Sequence, residues 1–590
     1  MDVCALVLLS LIGAARCYSL SYYETLIAKE IKRASTYVFP KDAGGFRSAN
    51  TEPRGFGVFD FAVIGSGSAG SVVASRLSED RNWTVLLLEA GGEENHFTEI
   101  PAMSTYAAGL ECNWGFNSTP QTACCLAMGG VCPFPRGKSL GGTSAINVLV
   151  YSRGNKLDYE RWSEDNPGWG YRDVLPYFLK SENSKIDDHD EGYHGRGGCL
   201  NVERHSPTSP KAVAFLTANQ ELGRSVVDFN GPNQVGAGRN QFNTIHGRRQ
   251  SSAKAFLGHA RLRPNLKIAT HCYVTKLLVD SATRSATGVL FSHKGTQYVA
   301  KIRREVILSA GVVGSPTILM HSGIGPRHQL DELKIPTVQD LDVGLHMHDH
   351  LMFYNMYFTT SITDEAYKLR ESIARYLDGS GPFTIASNAQ AAAYLPQSGT
   401  NSTVPDVEVV FIPTVRAPPD LHAGELQVSQ MVAVILHPKT RGRIFLQSRD
   451  PFVYPLIDSR CLSDEEDLES VHKAIEKVME FFDTKAFRAM NATLLPDPRC
   501  ANRGFRSREY WTCLIRLTAM NAYHGGGTCR MGPDPSEGAV VDNKLRVYGV
   551  GNLRVADTSV VPITLSGHMS APAMMIGERA ADFIKMEHRT

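Results

Sequence analysis

The chain has 590 residues, and its 61 Lys and Arg against 60 Asp and Glu leave a formal charge of +1. That balance argues against nucleic-acid binding, which brings a basic excess. The 43% hydrophobic content, with 52 Gly, argues against a disordered charged chain. At about 150 residues per domain the length suggests roughly four domains, a count that the motifs below reduce to two.

Val3 to Ala15 is an apolar run followed by small residues. A bilayer needs about 20 apolar residues, so the run is too short to span. It reads as a cleaved signal peptide over residues 1–17, which makes the expected protein secreted and extracellular. The best later candidate, Val306 to Met320, is interrupted by Ser309, Gly311, Gly314 and Pro316, so no transmembrane anchor is expected. Glycosylation triplets at Asn82, Asn117, Asn401 and Asn491 agree with secretion. Ten of the 12 cysteines lie beyond the leader. Cys112, Cys124, Cys125 and Cys132 share one Gly/Pro/Asn-rich stretch, which reads as a disulfide-stapled loop with its pairing left open. There is no Cys-x-x-Cys pair to suggest zinc.

The first strand, Phe59 to Ile64, runs into Gly65-Ser-Gly67-Ser68-Ala-Gly70, then a helical pattern with Val72, Val73 and Leu77, then a second strand ending at Glu89. Gly65 permits the tight turn, Gly67 lets a pyrophosphate approach the backbone, and Gly70 lets helix pack on strand. The helix N-terminus offers free N–H groups to the phosphates. Glu89 lies 19 residues after Gly70, where a carboxylate accepts from ribose hydroxyls and would repel the extra phosphate of NADP. This order of pieces is a dinucleotide site, and it does not choose between NAD and FAD.

The choice comes from a second glycine-rich segment, Pro135 to Glu160, which contains Arg136, Gly141, Gly142, Thr143, Ser144 and Asn147. Its backbone donors and hydroxyls suit a flavin ring and diphosphate. From Gly137 through Asn147 and Tyr151 to Glu160, the segment resembles the glucose–methanol–choline (GMC) oxidoreductase family. A second resemblance runs from Gly311 to Gly325, with Val312 where the family carries a small residue. Further matching stretches reach from Arg248–Leu257 to Gly567–Ile584. The resemblance implies FAD as cofactor and oxidation of an alcohol. It implies that Val274 meets the adenine side through its backbone and that Asp557 binds the ribityl chain. It also implies that the last helix faces the flavin pyrimidine with its N-terminus. Relatives that tether FAD through His carry it two residues after the Ser of Gly-Gly-x-Ser. Ile146 stands there, so non-covalent FAD is expected.

Alcohol oxidation removes an O–H proton and a hydride from the adjacent carbon, and His is the side chain whose ordinary pKa suits the first task. His524, in Tyr-His-Gly-Gly-Gly-Thr, matches the family's first active-site histidine, with Gly525 replacing its usual Pro. His568 matches the second position, where many animal relatives have Asn. The expected roles are His524 as general base and His568 as hydrogen-bonding partner of the substrate oxygen and neighbour of the flavin, with exchange of roles left open. His346, His348 and His350 alternate, but Asp349–His350 matches a family element and no metal site is assigned. The acidic run at Asp187, Asp188, Asp190 and Glu191 reads as a solvated loop.

The expected fold is α/β: a Rossmann-like FAD-binding domain with a mixed α/β substrate domain built on an antiparallel sheet. The nucleotide-binding pieces are scattered, so the first domain takes residues 58–345 with 519–590 and the second takes 346–518. The strand-like runs VEVVFI, QMVAVILH and GRIFLQ and a helix over Glu465 to Phe482 fill the second. The stretch Leu157 to Asn183 looks like insect members of the family, which include glucose dehydrogenases and ecdysone oxidases. The expected function is oxidation of the CH–OH group of an alcohol, sugar or ecdysteroid, with oxygen or a quinone as acceptor. The alternative is an FAD-containing hydroxynitrile lyase-like enzyme without net redox. The partners are small molecules, and the oligomeric state is left open.

Overall fold

The computed structural model describes residues 3–48, 52–188, 190–397, 402–421 and 424–588. The first element is a continuous helix, α1 (Val3–Ala34). The expected leader falls in its first half, where side chains lie outside the described set, as does Asn401. In the second half, Tyr23 and Ile27 are buried against Phe97, Ile100, Ile373 and Tyr376. Among the described residues no helix is long and apolar enough to cross a membrane.

The first sheet begins with β1 (Arg54–Ile64), followed by α2 (Ser68–Leu77) and β2 (Val85–Leu88). Every residue of β2 is buried, as expected of a parallel strand covered on both faces. The sheet continues with β3 (Leu266–Ala269), β4 (Cys272–Asp280), β5 (Ser285–His293) and β6 (Thr296–Leu308), and then α3 (Gly311–His321). The strand order is β3-β2-β1-β6-β5-β4, parallel from β3 to β6 and antiparallel beyond.

The second sheet holds β7 (Leu351–Thr359), β8 (Ala391–Leu395), β9 (Val407–Val415) and β10 (Val428–Ile435) in antiparallel order β7-β10-β9-β8. One face carries Phe353, Val409, Phe411 and Met431, packed against Val471, Ile475, Val478 and Phe481 of α4 (Glu465–Phe482). The Asp464 side chain caps α4 through the Glu466 N–H, so the helix spans the expected residues. The expected strand in GRIFLQ instead forms a separate hairpin, with 443–445 paired to 456–458. The segment 236–239, far before residue 346, closes one edge of the second sheet against β8. Ala212, Phe215 and Ala218 join the same core.

The chain then returns to the first sheet as β11 (Leu553–Val555), parallel to the end of β6, and finishes as α5 (Ser570–His588). α5 crosses α2 closely, because a Cβ on Gly577 would lie 2.6 Å from the Ala69 carbonyl oxygen.

Among the described residues three disulfides are present: Cys125–Cys132 inside the loop, Cys124–Cys461 and Cys500–Cys513. The expected stapled loop is therefore also tied to the second sheet's domain, while Cys112 stays a free thiol. The Cys500–Cys513 bridge closes a short loop with a sequence separation of 13. Replacing both by Ser is expected to cost about 3 kcal/mol of stability, read by chemical denaturation under oxidising conditions. A midpoint equal to that of the native chain would refute this role.

Candidate active site

A long cleft opens at the C-terminal ends of β1, β2 and β6 and is closed on one side by residues 522–525. Gly65, Gly67, Ser68, Glu89 and Val274 line one end, and His524 and His568 line the other. Arg136, Gly142, Thr143, Asn147 and Asp557 lie along it. Gly70 and Gly141 sit behind the wall. A Cβ on Gly70 would be 1.9 Å from the Gly65 carbonyl oxygen, so α2 approaches β1 only because this residue is Gly. A Cβ on Gly67 would meet nothing within 4 Å, which leaves the α2 N-terminus open to the cleft. The second glycine loop presses on the first, since a Cβ on Gly142 would lie 2.7 Å from the Gly67 Cα.

Glu89 accepts from the Ser66 N–H at 2.9 Å, the Ser66 hydroxyl at 2.8 Å and the Gly91 N–H at 2.8 Å. Burial raises its pKa against these bonds. Asp557 likewise accepts from the Gly311 N–H at 2.9 Å, the Ser315 hydroxyl at 2.6 Å and the Ser559 N–H at 2.8 Å, and burial raises its pKa. It thereby lashes the start of α3 to β11. Arg136 donates to the carbonyls of Pro135 at 2.6 Å and Tyr523 at 2.5 Å. Burial lowers its pKa, with Asp349 opposing. The Ser570 hydroxyl, at the first residue of α5, is buried without a protein partner. An open glycine turn, a ribose-height carboxylate and an orphan donor at a 19-residue helix N-terminus suit a dinucleotide with a flavin end.

The two histidines stand at the far end with their rings 4.7 Å apart between centroids. Their protons follow from their partners. His350 Nε2 lies 2.8 Å from the Leu565 carbonyl oxygen, which only accepts, so that nitrogen carries hydrogen. Burial, then the charges of His437, His568 and His348, pushes the His350 pKa down to about 3. Its Nδ1 is therefore a bare acceptor. His524 Nδ1, 3.0 Å away, must donate to it. Burial first, then His568, His350 and Arg136, holds His524 well below its ordinary value. The neutral ring keeps its lone pair on Nε2. His568 is the opposite case: its Nε2 lies 3.0 and 3.2 Å from the two Glu408 oxygens. Burial opposes the charged form, but the carboxylate and the Val150 carbonyl outweigh it and raise the pKa.

The cleft is thus lined by the residues expected from sequence apart from Gly70 and Gly141, which lie behind its wall. Four further residues carry no assigned role in that reading: His350, Asp349, Glu408 and Arg249. Asp349 Oδ1 accepts the His524 N–H at 2.7 Å, and burial raises its pKa to about 7. Glu408 is a lone carboxylate inside the apolar strand β9, and that misfit was its only signal. Arg249 is buried and donates to the carbonyls of Thr98, Ser144 and Asn147 and to the side chains of Asn147 and Ser104, between 2.7 and 3.0 Å. It is the clamp on the second glycine loop. His346, His348 and His350 go separately to Asp342, the Val561 carbonyl and the His524–Leu565 pair. Among the described residues the sulfurs of Cys124, Cys125 and Cys132 cluster, but all three are in disulfides.

A Rossmann-type sheet, a flavin-compatible cleft and a buried histidine pair define a flavin-dependent oxidoreductase. The chain matches the GMC oxidoreductase N-terminal model over residues 59–352 and the C-terminal one over 438–577. It is 37% identical to the glucose dehydrogenase [FAD, quinone] of Drosophila melanogaster, over 89% of this chain and 87% of that relative. It is 36% identical to the ecdysone oxidase of Bombyx mori, over 90% of this chain and 82% of the other. Among solved structures, pyridoxine 4-oxidase from Mesorbium loti superposes with a TM-score of 0.78 at 27% identity, covering 90% of this chain and 99% of that one. The chain belongs to the GMC oxidoreductase family, whose enzymes are FAD-dependent.

Arg249→Lys keeps the charge but loses the planar fork that serves several acceptors at once. Stability is expected to fall by about 2–4 kcal/mol, with less FAD retained on purification. A variant with native flavin absorbance and thermal midpoint would contradict the clamp.

Proposed function

We propose that the protein is a secreted oxidoreductase acting on the CH–OH group of an alcohol, sugar or ecdysteroid, with non-covalent FAD and with oxygen or a quinone as acceptor. The observation that carries this reading is the buried pair itself: His524 with Nδ1 3.0 Å from His350 and Nε2 unengaged, stacked on a His568 whose Nε2 lies 3.0 Å from the Glu408 carboxylate. The disulfides and the exposed Asn82, Asn117 and Asn491 support a secretory compartment.

Gly65, Gly67, Ser68 and Gly70 at the α2 N-terminus would hold the pyrophosphate, Glu89 the ribose and the Val274 backbone the adenine. Arg136, Gly141, Gly142, Thr143, Asn147, Asp557 and His568 would surround the flavin and ribityl portion. Ile146 lines the cleft and offers no nucleophile for a covalent tether. When bound, FAD supplies the hydride acceptor, flavin N5. His524 Nε2 takes the hydroxyl proton as the carbon gives up its hydride, so the alcohol leaves as a carbonyl compound. The His568 imidazolium, with its donors held by Glu408 and the Val150 carbonyl, acts through its charge and stabilises the negative charge that grows on the oxygen. Glu408 keeps that ring charged. Water exclusion around both rings strengthens each interaction.

Anaerobic mixing with substrate should bleach the flavin, whereas a hydroxynitrile lyase-like enzyme would leave it oxidised. His524→Ala should lower the reduction rate by about 10²–10⁴-fold with FAD still bound. Unchanged reduction would remove His524 as base. The pH dependence follows from the two opposite shifts. His524, held below 6.5, must lose its proton, so kcat/KM rises through an acidic limb. His568, held above 6.5, must keep its proton, so kcat/KM falls through an alkaline limb. Glu408→Gln is expected to move the alkaline limb to lower pH by about one unit or more, because the carboxylate no longer favours the cation. A limb that stays in place would separate Glu408 from the charge on His568.

A further inference from the structure

The sheet face that presents Glu408 to His568 carries the next inference. Strand pairing sets Met352, Val434, Glu408 and Tyr394 in one row across the sheet. The adjoining row contains Val432, Val410 and Ala392. Side chains two apart on a strand share a face at a spacing of about 7 Å. Val410 and Val432 therefore look the same way as Glu408, toward the histidines. Ala522, which lines the cleft, packs in the same cluster as Val434, with Met352 and Val432 against it. Met352, Val410 and Val432 are only half-buried, while the opposite face of the sheet is closed by helices.

Apart from the Tyr354 hydroxyl, two residues past Met352, the polar groups beside this patch are already committed within the protein. Glu408 serves His568 and the Tyr394 hydroxyl. That hydroxyl also reaches Ser152 at 3.2 Å. The Gln430 amide, two residues before Val432, donates to the Tyr354 carbonyl at 2.6 Å. A polyol laid here would lose water from several unreacting hydroxyls with one tyrosine hydroxyl to partner them, whereas hydrocarbon would gain from leaving water.

Resting on the function proposed above, we infer that the substrate is an alcohol with an apolar body, aliphatic, aryl or polycyclic, seated on Met352, Val410 and Val432 with its hydroxyl at His524 and His568. A sugar is the poorer substrate. The test is anaerobic stopped-flow reduction of the holoenzyme by a series of 1-alkanols from ethanol to octanol, and by glucose. The second-order rate of reduction should rise about 3–4-fold per methylene over several members. Glucose should fall at least about 100-fold below octanol. Val410→Asn should lower the octanol rate about tenfold or more, with FAD content and dithionite reduction unchanged. A flat series, a preference for glucose or an indifferent Val410→Asn would overturn the apolar seat and leave alcohol oxidation standing. Reduction by dithionite but by no alcohol of either class would overturn both.

Discussion

The 3.0 Å contact between His350 and His524 fixes the chemistry of the site. A carbonyl cannot donate, so Leu565 dictates which nitrogen of His350 carries hydrogen. That choice passes through His350 to His524 and leaves Nε2 free toward the cleft. Every element around the pair serves this order. His350 immediately precedes β7, and the Ala522 N–H donates to its carbonyl at 2.9 Å, so the second sheet positions it through its own pairing. The His524 main chain is anchored separately by Asp349.

The two histidines themselves come from the C-terminal return of the chain, yet both are tuned by the second sheet. His350, just before β7, is the neighbour that sets the His524 tautomer. β9 supplies Glu408, which sets the charge of His568. Two rings 4.7 Å apart in a buried site resist being charged together, and the fold resolves this by giving one of them a carboxylate. In the proposed mechanism the interface between the two sheets is therefore part of the acid–base machinery. On the cofactor side the logic is steric. Gly67, Gly70 and Gly142 let two loops and a helix approach closer than side chains would permit.

The parts legible in the sequence are those with local cause. The glycine spacing, the apolar β2 and the acid at its end lie within one short stretch, and the structure assembles them as that spacing requires. The helix over 465–482 is equally local, with its Asp464 cap. What escaped depends on contacts between distant segments. Nothing around 236–239 announces that it edges the second sheet. Cys124 pairs with Cys461 across a separation of 337 residues, which no spacing rule anticipates. Glu408 was visible as a carboxylate among apolar neighbours, but its partner could be found only in space. The same holds for Arg249, whose acceptors come from two separate stretches, 98–104 and 144–147.

The central claim is a distribution of protons: a neutral His524 with hydrogen on Nδ1 beside a charged His568. Neutron diffraction from deuterium-exchanged crystals of the oxidised holoenzyme near neutral pH would read it directly. The account predicts deuterium on His524 Nδ1 and none on Nε2, on His350 Nε2 alone, and on both nitrogens of His568. Deuterium on His524 Nε2, or a neutral His568 ring, would contradict it.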